Sequence, residues 1–304
     1  MKRVILAGGS GFLGKALADR LLETDCEVVI LTRSPSGSLS NLHYVNWDGK
    51  TPGPWTQSLE GAEAVVNLAG YNISCRHTPE NLRRIIDSRV NSIQALGNAV
   101  RLCAKPPKTW VQCASGAIYG DTGEQAADES TPLVQKPTVI EKICLDWERA
   151  FNEQTLPNTR KVTLRIGVVL GMEGGALPLL AKLTRLFFGG AAGSGRQYIS
   201  WTHLQDMVRI MEWVIEHSEL EGAFNAVSPT PVPNAEFMRT LRATLHRPWC
   251  PRAPAFMIRL VAAVLGTASE LILGGMHCVP KRLLDSGFVF QHPDLPEALR
   301  DLLR

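Results

Sequence analysis

The sequence predicts an α/β protein in which a doubly wound parallel sheet carries a smaller, mostly helical C-terminal lobe. Two observations lead to that class. Short apolar runs alternate with helix-patterned segments through the first half of the chain. The first run is followed at once by a glycine-rich turn, Gly8-Gly9-Ser10-Gly11-Phe12-Leu13-Gly14. Runs that are apolar throughout, rather than at every second residue, belong to strands buried on both faces, and the helices between them supply the crossovers. Composition agrees: 304 residues with 45% hydrophobic and 20% charged side chains make an ordinary globular chain, which excludes a disordered, collagen-like or disulfide-framework protein.

The elements follow in order. Strands are expected over 3–7, 27–32, 43–47, 64–69, 109–114 and 161–169, each a short apolar run. Helices are expected over 14–23, 79–103 and 138–151 between them, where the apolar period lengthens. From about residue 171 the pattern changes to glycine- and proline-rich turns with helices over 234–245 and 254–265, and a helix over 206–217 returns to the first lobe. Residues 1–170 with about 199–228 are therefore assigned to a nucleotide-binding domain, and 171–198 with 229–304 to a substrate lobe.

Other classes are excluded by charge and by what is missing. The net charge is +3 with no basic run, so no nucleic-acid surface is expected. The seven cysteines form no C-x-x-C pair and read as reduced thiols of a cytoplasmic protein. The apolar start of the chain meets glycine too early for a signal peptide, and Arg259 and Glu270 interrupt the most apolar stretch, so no membrane span is expected. No histidine pair has metal-ligand spacing such as H-E-x-x-H, and no metal is expected.

The glycine turn carries the chemistry. Gly8 permits a tight turn, Gly11 lets a pyrophosphate approach the backbone, and Gly14 lets the helix pack close to the sheet. Together with Phe12 and Leu13 these residues form the expected phosphate cradle, in which the helix N-terminus offers free N–H groups and a positive dipole end. The second strand ends in Thr32-Arg33-Ser34, with no acid to hold a ribose 2′-hydroxyl. Arg33 presents a planar fork suited to a 2′-phosphate, so the expected cofactor is NADP(H) rather than NAD(H); a solvated surface arginine is the alternative.

With these residues in place the chain resembles the extended short-chain dehydrogenases/reductases, which fold as Rossmann domains. Asn67-Leu68-Ala69-Gly70 is similar to the family's N-x-A-G element, which implies that Leu68, Ala69 and Gly70 line the cofactor. Ser115-Gly116-Ala117-Ile118-Tyr119-Gly120 and the strand 164–171 resemble segments of sugar-nucleotide epimerases. The segments around 193–206, 224–229 and 280–283 resemble the "epimerase family" branch of the YfcH type, which carries a C-terminal domain of unknown function; the resemblance covers essentially the whole chain.

The resemblance implies a Ser/Tyr/Lys site, in which the lysine lowers the phenol's pKa and holds the nicotinamide ribose. Ser115 is placed to orient a substrate oxygen and Lys142 to hold the ribose; a plain strand-end hydroxyl and a non-catalytic lysine are the respective alternatives. Four residues before Lys142 stands Thr138, however, and none of Tyr44, Tyr71, Tyr119 and Tyr198 begins a Y-x-x-x-K. An aliphatic hydroxyl is far too weak an acid to replace a phenol. Arg89 is a candidate phosphate or ribose contact, with a surface role as the alternative. Arg196 and His203 are candidate substrate ligands; a solvated loop arginine, and a structural histidine beside a helix-capping Asp206, are the alternatives. Asp128-Glu129 reads as solvated acid, and the resemblance leaves a homodimer through the long helices open. The expected function is an NADP-dependent oxidoreductase or epimerase acting on a small polar, nucleotide-sugar-like substrate. A cofactor-binding sensor or scaffold that has lost turnover is the rival.

Overall fold

The computed structural model describes residues 1–35, 37 and 40–304. The chain opens with β1 (Lys2–Ala7), α1 (Phe12–Leu22), β2 (Cys26–Thr32) and β3 (Leu42–Asn46), then β4 (Ala64–Asn67), α2 (Pro79–Leu102), β5 (Thr109–Ser115), α3 (Val139–Asn152) and β6 (Arg160–Ile166). β7 (Val168–Leu170), α4 (Leu177–Arg185), β8 (Tyr198–Ile199), β9 (Trp201–His203), α5 (Leu204–Glu216) and β10 (Gly222–Ala226) follow. The chain closes with β11 (Val232–Pro233), α6 (Asn234–Thr244), α7 (Ala255–Leu265), α8 (Glu270–Leu273), α9 (Lys281–Asp285) and α10 (Leu295–Leu302).

Seven parallel strands form one sheet in the order β10-β6-β5-β4-β1-β2-β3. The order runs outward from β1 in both directions, so the winding reverses between β1 and β4. At such a reversal the crossover helices diverge and leave a crevice above the carboxyl ends of the strands. Ala7, Thr32, Asn67 and Ser115 end the four strands that border it. Successive side chains of a strand face opposite ways, and each face has its own core. Val4, Leu6, Val28 and Ile30 are buried under α1 and α5 with Leu17, Met207 and Met211. Ile5, Ala7, Val29 and Leu31 are buried on the other side with Ile93, Leu96 and Phe151 of α2 and α3. A separate cluster of Leu170, Leu177, Trp201, Phe237, Leu241 and Leu299 holds the C-terminal segments together.

Two strand boundaries and one loop depart from the sequence reading for local reasons. The run expected as one strand over 161–169 breaks at Gly167, where a Cβ would lie 2.3 Å from Ser200 O. The chain passes so close there that β7 leaves the main sheet and pairs with β9. The strand expected over 64–69 stops at Asn67, whose Oδ1 accepts from Ala69 N at 3.1 Å and turns the chain away from the ladder. Asp128-Glu129 is not merely solvated: Glu129 accepts from the backbone N–H groups of Asn225 at 2.8 Å and Arg282 at 3.2 Å, tying the loop to the C-terminal segments. Among the described residues no helix is long and apolar enough to cross a membrane.

Candidate functional site

The crevice is built where β1 passes into α1. Gly8 leaves the strand with φ +75°, and its N–H donates to Leu31 O at 2.9 Å. A Cβ there would stand 2.7 Å from Ala69 Cα, so the first turn and the loop after β4 are in direct contact. Gly11 is the N-cap of α1; no side chain caps the helix and its first turn holds no acid. The first N–H groups of α1 therefore have no side-chain acceptor. A Cβ on Gly11 would meet nothing closer than Gly8 O at 4.0 Å, so an open backbone surface lies beside a positive helix end. That combination accepts a phosphate group. Gly14 serves another contact than the sequence suggests: its Cβ would lie 2.3 Å from Gly9 O, so the close approach is between helix and turn rather than helix and sheet.

The flanking side chains are committed to packing. Cβ atoms on Gly171 and Gly174 would come within 2.6 and 2.7 Å of the Phe12 ring, and Leu13 packs against the core. Their backbone N–H groups are what they can offer a ligand. At the tip of β2 the Thr32 hydroxyl donates to Ser10 Oγ at 3.2 Å and accepts from Ser34 N at 3.3 Å, which ties the tip to the glycine turn. Arg33 is exposed beside it and makes no ion pair among the described residues.

On the other side of β1, Asn67 sets the loop 68–70. It is wholly buried, and its Nδ2 donates to Gln112 Oε1 at 2.9 Å and Ser92 Oγ at 3.2 Å. Ser115 ends β5 half-buried, its Oγ accepting from Ala117 N at 3.2 Å. The residue of α3 that reaches Ser115 is Cys144, whose thiol burial pushes up to about 11. Lys142, expected there, lies instead on the exposed face of α3, and its side chain makes no hydrogen bond among the described residues. The helix turns Ile143, Cys144, Glu148 and Phe151 inward, and position 142 lies off that stripe.

Arg89 is not a surface residue. Only 8% of it is exposed; its Nη1 donates to Tyr71 O at 3.1 Å and Ile85 O at 3.0 Å, and its Cζ lies 4.7 Å from the centre of the Trp147 ring. No carboxylate pairs with it among the described residues, and burial draws its pKa down to about 10.

No tyrosine fills the missing position. Thr138 is the N-cap of α3, closed by Glu141. Tyr119 is buried, its hydroxyl accepting from Arg165 at 2.6 Å and donating to Asn225 Oδ1 at 3.0 Å, and burial pushes its phenol up to about 12. Tyr198 stacks on His277 with ring centres 3.7 Å apart. Tyr71 directly follows the loop 68–70 and is half-buried, its backbone N–H held by Ser88 Oγ at 2.8 Å. It is the tyrosine joined to this loop, and sequence spacing to a lysine could not have singled it out.

The two substrate candidates are corrected or left apart. His203 is 1% exposed and is itself the N-cap of α5, its Nδ1 accepting from Gln205 N at 3.1 Å; Asp206 lies in the helix's first turn. Asp206 holds the backbone N–H groups of Gln291 and His292, each at 2.8 Å, and the His292 ring stacks on His203 with centres 3.8 Å apart. Burial, with His292 beside it, draws the pKa of His203 down to about 4. This histidine is sealed under the C-terminal segments and is not a substrate ligand. His203, His292 and Asp301 bring three ligand atoms within 4.8 Å of one another. A His203 Nδ1 that accepts an N–H leaves the ring proton on Nε2, however, and that nitrogen then faces Asp301 Oδ2 at 3.4 Å with no lone pair for a metal. Arg196 is exposed, with its N–H donating to Ser194 Oγ at 3.2 Å and its side chain unpaired among the described residues.

A parallel sheet wound 3-2-1-4-5-6, an uncapped helix after a glycine turn and an N-x-A-G loop at the switch point are now in one place. The sequence profile of the NAD dependent epimerase/dehydratase family matches residues 4–226. The chain belongs to that family. Residues 253–302 match a further profile described as a domain of unknown function, DUF1731. The chain is 32% identical over 302 residues to the epimerase family protein YfhF of Bacillus subtilis, covering 99% of this chain and 97% of that one. It is 33% identical over 308 residues to the cattle epimerase family protein SDR39U1, covering 99% of each. The crystal structure of the human epimerase family protein SDR39U1 (isoform 2) with NADPH superimposes with a TM-score of 0.87 at 31% identity, over 99% of this chain and 98% of that one. The chain is thereby also a member of the extended short-chain dehydrogenases/reductases.

Proposed function

We propose that this epimerase-family chain binds NADP(H) and acts as an oxidoreductase or epimerase on a small polar substrate, with nucleotide sugars the leading class. The observation that carries the cofactor choice is the tip of β2. Arg33 stands there exposed and without an ion pair among the described residues, and Thr32-Arg33-Ser34 offers no carboxylate to a 2′-hydroxyl. A guanidinium gives paired charge-assisted hydrogen bonds to a phosphate dianion. The NADPH named with the human relative supports the same choice.

In this reading the first N–H groups of α1 and the open backbone at Gly11 hold the pyrophosphate. Arg33 holds the 2′-phosphate, with Ser34 beside it. The loop Leu68-Ala69-Gly70 lines the nicotinamide half, and Ser115 orients a substrate hydroxyl or carbonyl. Arg196 remains a candidate for an anionic substrate group. When bound, the cofactor supplies or accepts a hydride at its nicotinamide ring.

One specific observation favours the rival, a cofactor-binding sensor. Thr138 replaces the expected tyrosine, and Tyr119 is locked between Arg165 and Asn225. General acid catalysis contributes about 10²- to 10⁴-fold, so a site without a placed phenol turns over slowly or not at all.

Titration of wild type and Arg33→Ala with NADPH and NADH tests the cofactor claim. Wild type should prefer NADPH by at least about tenfold and the variant should lose that preference, as expected for a charge-assisted contact. Equal affinity of wild type for the two cofactors would defeat it. A screen of carbonyl compounds and nucleotide sugars then separates enzyme from sensor.

A further inference from the structure

A helix on the surface of a globular protein turns its large apolar side chains inward, and α7 does the reverse. Phe256, Leu260 and Val264 recur at every fourth position with Met257 and Val261 alongside, so the five share one face, and all are exposed. Toward the protein the helix turns Ala262, which is buried, and Ile258, which is half-buried. α4 repeats the pattern: Ala181 and Thr184 are buried, whereas Leu179 and Leu183 face out and the exposed Phe187 and Phe188 follow them.

The two faces adjoin. Cys250 Sγ donates to Phe187 O at 3.2 Å, the Arg247 Cζ lies 5.2 Å from the centre of the Phe187 ring, and Ala192 pairs with Ala253 just before α7 begins. Trp249 stands in the segment that joins them. Phe187 is 60% exposed, Phe188 72%, Trp249 79% and Phe256 68%, so these four rings alone present on the order of 500 Å². With the aliphatic side chains added, the surface is larger than the apolar patch a monomer ordinarily shows, and it calls for an occupant.

Charge decides which. Lys182, Arg185, Arg247, Arg252 and Arg259 lie on these same segments, and none makes an ion pair among the described residues. Over 177–192 and 242–273 the single acid is Glu270, although the chain as a whole is nearly balanced. A second copy docked on this face would set like charges against each other, because a two-fold contact places a patch against itself. A bilayer with anionic headgroups offers both an apolar layer for the rings and negative charge for the cations.

We infer that α7 and the end of α4 form a docking surface for an anionic lipid bilayer, lying in the headgroup plane without spanning it. The aromatic rings and the outward stripe of α7 enter the acyl boundary, and the arginines stay at the level of the phosphates. The face borders the crevice. Arg76 Nη2 donates to Ala263 O at 3.0 Å and Cys75 pairs with Thr267, both from the segment that follows Leu68-Ala69-Gly70. Docking therefore brings the rim of the crevice to the lipid surface. The inference stands apart from the choice of cofactor.

Flotation of the full chain with two kinds of vesicle tests it: phosphatidylcholine alone, and phosphatidylcholine with phosphatidylglycerol in about equal parts. Wild type should bind the anionic vesicles at least about tenfold more tightly than the neutral ones and lose most of that preference between about 0.05 and 0.5 M salt. Leu260→Glu should weaken binding by at least about tenfold, the worth of one buried leucine. Arg252→Glu with Arg259→Glu should weaken it by at least about 30-fold, at about fivefold per cation. All three side chains are exposed, so these variants should melt with wild type. Leu102→Glu, equally exposed but at the end of α2, should bind as wild type does. Equal binding to both vesicles, binding to neither, or undiminished binding by Leu260→Glu overturns the inference. So does a lipid-free dimer in sedimentation that Leu260→Glu dissolves, if no vesicle is bound; the face then belongs to a second copy.

Discussion

Two glycines three residues apart in one turn should fail in opposite ways when each gains a methyl group. Gly11 has φ −84°, a conformation open to alanine, and its Cβ would face open space. Replacing glycine by alanine at a compatible backbone position stabilises by about 0.4–1 kcal/mol through the unfolded chain. Losing a tolerated N-cap costs about as much. The two terms offset, so Gly11→Ala should melt within about 4 °C of wild type. Its methyl would stand where the pyrophosphate is proposed to cross, and NADPH affinity should fall by about 100-fold or more, the cost of roughly 3 kcal/mol of lost contact. In Gly14→Ala the new Cβ would lie 2.3 Å from Gly9 O and 2.4 Å from Gly9 Cα, both backbone atoms that cannot swing aside. Overpacking of this kind costs about 1–3 kcal/mol or more, and the variant should melt clearly lower. Melting curves and fluorescence titration with NADPH read the pair. Undiminished NADPH binding by Gly11→Ala would show that no phosphate crosses that glycine, and the cradle argument would be wrong.

Other perturbations follow from the buried polar groups. Glu148→Gln removes the carboxylate paired with Arg165 and leaves that guanidinium buried beside Tyr119, which should cost about 3–5 kcal/mol in urea denaturation; a loss under about 1 kcal/mol would show that water reaches the pair. His203 has a folded-state pKa near 4, below its unfolded value, so the unfolded chain binds the extra proton between about pH 6.5 and 4. Stability should be fully present above that window and decline as pH falls through it, by up to about 3 kcal/mol at its lower end. Denaturation at pH 7.5 and 5.0 should show the decline in wild type and a flatter profile in His203→Gln, and parallel profiles would exclude His203 as the source. Gly167→Ala, whose Cβ would lie 2.3 Å from Ser200 O, should lower the melting temperature by separating β7 from β9.

Much of the fold could be read from residues alone because its signals are local. A strand buried on both faces is apolar at every position, as Val28–Leu31 is, and a glycine turn between such a strand and an amphipathic helix has few other uses. The expected order of strands and helices in the first 166 residues therefore reappears in the structure, apart from the ends. What the sequence hid depends on partners far along the chain. Gly167 breaks a continuous apolar run because Ser200 crosses it. Glu148 meets Arg165 and Glu129 meets the N–H of Arg282 across many residues. His203 was a candidate substrate ligand with a structural histidine as the alternative, and it is the cap of α5 under the chain's own C-terminal segments. Lys142 was a matter of helix phase: the inward stripe of Ile143, Cys144, Glu148 and Phe151 is present in the sequence and already leaves 142 outside. Arg89 was a candidate cofactor contact in the sequence, but its burial could not be read there, because it depends on Trp147 of α3 and on the loop after β4 closing around it.

A crystal structure of the chain with NADPH tests the central claim most directly. The account predicts the 2′-phosphate within hydrogen-bonding distance of Arg33, the pyrophosphate over Gly11 at the start of α1 and the nicotinamide ribose against Gly70. NADPH bound away from that groove, or lying in it with its 2′-phosphate free of Arg33, would contradict the account.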